Sequence, residues 1–208
     1  MVTWLLVAAN VAAFGIELAT GSALEPFVRR WGLVPQDIVE SFHGSAEPAA
    51  LVTLLTSLFL HSGWLHLLFN LLYLGVFGPP VERRLGPLRF ALLFIVSGLV
   101  GSLAYLIAQP ASATPAIGAS GAIGGVIAAH LVLYPGATLG SLAPVLFLRV
   151  VEGTPTLLLL LVWFAAQLFS SVASLTSSTG IAWWAHLGGF ASGLALAPLL
   201  RTRRRLAR

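Results

Sequence analysis

The stretch Leu88-Arg-Phe-Ala-Leu-Leu-Phe-Ile-Val-Ser-Gly-Leu-Val-Gly-Ser-Leu-Ala-Tyr-Leu-Ile107 decides the fold. Beyond Arg89 it runs to Ile107 without a charge. A helix of about 20 apolar residues crosses the hydrocarbon of a bilayer, roughly 30 Å thick. The rest of the chain has the same character. Of its 208 residues 58% are hydrophobic and 9% charged, against about 25% charged in soluble domains. Mean hydropathy is +0.94. A water-soluble enzyme, a disordered regulator and a fibrous repeat are excluded. The runs are too long and ungapped for the alternating strands of an outer-membrane barrel. The chain reads as an all-α polytopic membrane protein.

Six apolar spans follow from the hydropathy pattern: about Val2–Leu18, Gly63–Pro79, Leu88–Ile107, Ala119–Leu133, Pro155–Ala173 and Ile181–Leu200. A mixed segment, Thr20–Pro48, follows the first span with four acids beside Arg29 and Arg30. Residues 49–61 read as part of a loop embedded at the interface, because His61, Ser62 and Gly63 interrupt an apolar run too long for one span. Non-helical backbone is tolerated at such depth where protein or water satisfies it. The stretch Gln109–Pro115 is a loop by its Pro, Ser and Thr content. No internal repeat or second domain is visible, so residues 1–208 read as one six-helix domain with a basic tail at 201–208.

All 11 basic residues are Arg, and five lie from Arg201 to Arg208. Arg83, Arg84 and Arg89 fall between the second and third spans, and Arg149 between the fourth and fifth. Placing both termini in the cytoplasm puts nine of the 11 on that side, as the positive-inside rule requires. The tail is then a membrane anchor rather than a nucleic-acid surface. The second, fourth and sixth spans run from outside to inside. The chain has no cysteine, hence neither a disulfide framework nor a thiol nucleophile. The apolar N-terminus lacks the basic region of a signal peptide and is kept as a span.

Polar residues are costly inside spans and mark function there. In His61-Ser-Gly-Trp-Leu-His66-Leu-Leu-Phe-Asn70, His66 and Asn70 are one turn apart and share a helix face. They are either paired hydrogen-bond donors for an oxyanion or interhelical glue. His61 with His66 makes a poor chelating pair, so His61 is given an interfacial structural role and no metal is expected. In Gly118-Ala-Ser120-Gly121-Ala-Ile-Gly124-Gly125, Ser120 stands at a helix start, where free backbone N–H groups and the dipole favour a developing anion. The alternative is a small-residue packing face. In Ala185-His186-Leu-Gly188-Gly189-Phe-Ala-Ser-Gly193, His186 is the one ionisable residue of its span and is suited to general-base work. Gly189 and Gly193 form a packing ladder. Glu17, near the end of the first span, is assigned to the outer interface.

Ser120, His66 and His186 all lie within a turn or two of helix starts on the outer side. A nucleophile, a base and oxyanion donors at one depth make an acyl-transfer site. With no acid placed to orient His186, a Ser–His dyad is expected.

These residues resemble the rhomboid family of intramembrane serine proteases, over about Phe59–Pro198. The match lies in His66-x-x-x-Asn70, Val81-Glu82-Arg-Arg-Leu85-Gly86, Gly118-x-Ser120-Gly121 and Ala185-His186-x-x-Gly189-x-x-x-Gly193. The resemblance implies Ser120 as nucleophile and His186 as base. It implies an oxyanion site from His66, Asn70 and the Ser120 backbone, a six-helix core, and a water-filled cavity open to the outer side. It implies a hydrolase acting on transmembrane protein substrates in a bacterial-type cytoplasmic membrane, in contact with the lipid bilayer, with no cofactor, no metal and no nucleic acid. The sequence carries no signal for oligomeric state. Two departures stand out. Leu51-Val52-Thr53-Leu54 occupies the place of a Trp-Arg pair, and Gly124 the place of an aromatic that packs on the catalytic histidine; Trp183 and Trp184 both qualify as substitutes for it. A non-catalytic relative that binds client helices is the alternative, and an ion-coupled transporter is disfavoured by the lack of deep charges.

Overall fold

The computed structural model describes residues 1–44, 48–137 and 182–201, with Leu158 and Ala165. Its helices are α1 (Val2–Ala19), α2 (Leu24–Trp31), α3 (Pro35–Phe42), α4 (Thr53–Thr56), α5 (Trp64–Leu85), α6 (Pro87–Ala108), α7 (Ser120–Leu133) and α8 (Trp183–Leu200). No strand occurs among the described residues; an isolated bridge pairs Leu33 with Ala116. α1, α5 and α6 are long and apolar enough to cross a membrane. The expected fifth span and the basic tail beyond Arg201 lie outside the described residues, apart from Leu158 and Ala165, which are helical.

α7 is the central helix. Every residue from Gly121 to His130 is buried, which suits a segment that is apolar all round. α8 runs parallel to it at very close range: a methyl added to Gly189 would collide with the Gly121 carbonyl, and one on Gly193 with the Gly125 carbonyl. α6 packs antiparallel on both, with Gly101 against Ala185 and Ser97 within hydrogen-bonding distance of Ser192. Small residues let the backbones approach closely, so dispersion contacts replace the hydrophobic effect that lipid cannot supply.

α1 is fastened at both ends, to α5 at its start and to the loop before α5 at its finish. At its start, Glu82 of α5 accepts hydrogen bonds from the Val2 and Thr3 amides at 2.7 and 2.9 Å and from the Thr3 hydroxyl at 2.6 Å. The carboxylate thereby satisfies orphan N–H groups and complements the helix dipole. At its other end Glu17, only 2% exposed, accepts the His61 amide at 3.0 and 3.1 Å through its two oxygens. Glu17, near the C-terminal end of α1, thereby gains a partner that the sequence did not show: a backbone N–H in the loop before α5 draws its side chain into the protein.

Two further readings change. The second span does not stop at Pro79. α5 continues through Pro79 and Pro80 to Leu85, so Arg83 and Arg84 belong to its last turn rather than to a loop. The extra turn buries Val81, Glu82 and Leu85, and the Tyr134 hydroxyl donates to the Pro80 carbonyl at 2.9 Å. Second, the segment after α1 is helical (α2, α3), and residues 48–59 form consecutive short helical turns. Ser102 donates to the Leu54 carbonyl at 3.2 Å and Thr56 to that of Trp31 at 2.7 Å. These bonds anchor the stretch where a Trp-Arg pair was missed.

Candidate active site

α5, α7 and α8 start at the same end of the bundle, and the polar residues of their first turns meet there. Ser120 Oγ and His186 Nε2 are 2.7 Å apart, a hydrogen bond between the first residue of α7 and the fourth of α8. The glycine ladder sets this distance, because it fixes the register of the two helices. The loop entering α7 is tied on two sides. The Gly118 amide donates to Ser57 at 2.8 Å, and Leu33 and Ala116 exchange bonds of 3.0 and 2.8 Å. Gly118 has φ +122°, and a Cβ there would lie 2.7 Å from Cε1 and Nε2 of His66. Only glycine serves at this point.

His66, Asn70, Ser120 and His186 line one cavity of about 460 Å³. Asn70 is 5% exposed, and its Nδ2 has no hydrogen-bond partner among the described residues. A buried donor left unpaired is costly. The cavity continues past Ser120 along Ile123 and Ile127 of α7, opposite Phe69 and Tyr73 of α5. α7 is about 21 Å long at 1.5 Å per residue, shorter than a bilayer core of about 30 Å.

Of the two tryptophans, Trp183 meets His186 edge-on with ring centroids 5.7 Å apart, whereas Trp184 packs beside Leu33, Ile38 and Tyr105. Gly124 packs tightly on α8, since a Cβ there would stand 3.2 Å from the His186 carbonyl. His61 is buried behind the site, its ring centroid 5.2 Å from that of His66. Burial and the neighbouring His66 push its imidazole down to about 4, so it is neutral at pH 7.

Sequence reasoning missed Ser62, Tyr73, Ile123 and Ile127 as cavity residues. An apolar side chain facing a cavity reads the same as one facing lipid, so Ile123 and Ile127 carried no signal. Tyr73, three residues beyond Asn70 and so on the same helix face, carried a weak one.

A family model for the rhomboid domain matches residues 48–203. Rhomboid protease GluP of Bacillus subtilis is 45% identical over 78 residues, 38% of this chain and 15% of GluP. The mitochondrial Rhomboid protein 1 of Saccharomyces cerevisiae is 30% identical over 198 residues, 91% of this chain and 50% of that protein. Inactive rhomboid protein 1 of Drosophila melanogaster is 38% identical over 86 residues, 41% of this chain and 6% of that protein. The chain spans half or less of the length of these curated relatives. These relatives thus include one named as a protease and one named as inactive. With its domain match covering most of the chain, this all-helical membrane protein belongs to the rhomboid family.

Proposed function

We propose that the chain is an intramembrane serine endopeptidase, built as a six-helix domain with both termini cytoplasmic, that cleaves transmembrane segments of other proteins near the outer face. The observation that carries this reading is the 2.7 Å contact of Ser120 Oγ with His186 Nε2 at the wall of a cavity that also holds the unpaired Asn70 amide. In the proposed reaction His186 takes the Ser120 proton as Oγ attacks the scissile carbonyl. The oxyanion receives hydrogen bonds from His66, Asn70 and the N–H groups at the start of α7. His186 then protonates the leaving amine, and water entering the cavity hydrolyses the acyl-enzyme. Trp183 packs on His186 in place of the aromatic that is absent at Gly124.

A fluorophosphonate probe tests this in detergent. The expected outcome is covalent labelling of wild type and loss of labelling, at unchanged fold, in Ser120→Ala and His186→Ala. Labelling of Ser120→Ala at the wild-type rate overturns the assignment. A folded wild type that never labels favours the second reading, a helix-binding relative without catalysis, for which the match to an inactive relative is the specific support.

A further inference from the structure

α5 begins in an unusual way. Gly63, with φ +153°, turns the chain so that Ser62 folds back on His66, the third residue of the helix. The Ser62 backbone N–H donates to His66 Nδ1 at 3.3 Å, and Ser62 Oγ lies 3.1 Å from the same nitrogen. This resembles a capping box moved out by one residue, with an imidazole in place of a carboxylate. It has a chemical consequence. A backbone N–H can only donate, so Nδ1 must carry its lone pair and the ring proton must sit on Nε2. Nε2 is the nitrogen that faces Gly118, beside Ser120. The loop that supplies Ser62 is held in turn by Glu17, whose two oxygens take the His61 amide from the preceding residue. Glu17 is the last buried polar group of α1 and has no other hydrogen bond among the described residues that would account for its burial.

We infer that Glu17 and Ser62 are positioning residues that hold His66 as its Nε2–H tautomer, so that the ring presents a proton to the oxyanion. The inference rests on the proposed role of His66 as an oxyanion donor. Without the Glu17 anchor, the Ser62 amide drifts from Nδ1 and the tautomers mix. An Nδ1–H ring would then turn a lone pair toward the developing negative charge.

The test uses the full chain in micelles with ¹⁵N-labelled histidine at about pH 8, well above the ordinary imidazole range. Two-bond ¹H–¹⁵N correlations identify each tautomer, and His66→Ala assigns the His66 signals. The expected result is Nε2–H in wild type, a mixture in Glu17→Leu and recovery in Glu17→Gln, which keeps an acceptor oxygen. Nδ1–H in wild type overturns the inference, even if Glu17→Leu does not fold. A His66 pattern unmoved by a folded Glu17→Leu overturns the part assigned to Glu17. In parallel, fluorophosphonate labelling falls roughly tenfold in Glu17→Leu, a fraction of the roughly 100-fold or more that losing a donor costs, and recovers in Glu17→Gln. The expected tautomers in a wild type that never labels would support the anchor and sink the proteolytic reading, so the two fail separately.

Discussion

α7 has two unlike neighbours. Against α8 it presents Gly121 and Gly125, and the backbones touch with no room for a methyl group. Against α5 it presents Ser120, Ile123 and Ile127, and a cavity of about 460 Å³ remains between the helices. The two stripes lie side by side on one helix, at the spacings of adjacent helical faces. The difference separates two requirements. The proposed dyad needs its two atoms held to a fraction of an ångström, which a close backbone seam provides. A reactant needs space, which large side chains held apart provide. Ser120 sits where the two faces begin, touching His186 across the seam and opening onto the cavity.

The seam should be the least tolerant part of the molecule. Gly193→Leu would drive a side chain into the Gly125 carbonyl, and backbone cannot yield as a side chain can. The expected loss is about 3 kcal/mol or more, read as a large drop in the unfolding midpoint together with loss of probe labelling. A variant of wild-type stability would mean that α7 and α8 are not in this register. On the cavity side, Tyr73→Ala removes one half-buried wall residue and its stack on Phe77, with centroids 6.2 Å apart. It should cost only about 1 kcal/mol while raising labelling by bulky phosphonates relative to small ones. Equal selectivity in both proteins would exclude Tyr73 from the wall of the reactive cavity.

The smallest effect concerns His61, behind the cavity. Its folded-state value of about 4 lies below the ordinary 6.5. Between those values the unfolded chain binds the proton that the folded chain refuses, so this group's contribution to stability falls as pH drops. His61→Phe should therefore show a shallower decline of the unfolding midpoint between about pH 7 and pH 5 than wild type. Parallel declines would mean that His61 takes its proton in the folded state.

How much of this could be read in advance follows from where each partner lies in sequence. α6 was legible almost to the residue, because an uncharged apolar run bounded by Pro87 and Gln109 has few other structures open to it. Ser120, His186, His66 and Asn70 were legible as polar residues where lipid permits few. The end of α5 was not. Pro79-Pro80 reads as a stop, and the reason to continue is Glu82, whose partners Val2 and Thr3 are 80 and 79 residues away. Glu17 was visible as an anomaly, but its partner is a backbone amide 44 residues on, and backbone amides have no sequence signature. Ser62 looked like loop punctuation, and its role emerges only from the turn at Gly63.

The two-ended fastening of α1 also bears on biosynthesis. Thr3, Asn10 and Glu17 are each 2% exposed or less, yet the acid that secures Thr3 is 79 residues downstream. Translation at about 5–20 residues per second leaves the first helix waiting for several seconds or more. Within that interval Glu17 can already meet the His61 amide, 44 residues on, whereas Thr3 still lacks its acid. α1 is therefore fastened from its Glu17 end first, and its Thr3 end must be sheltered until Glu82 arrives.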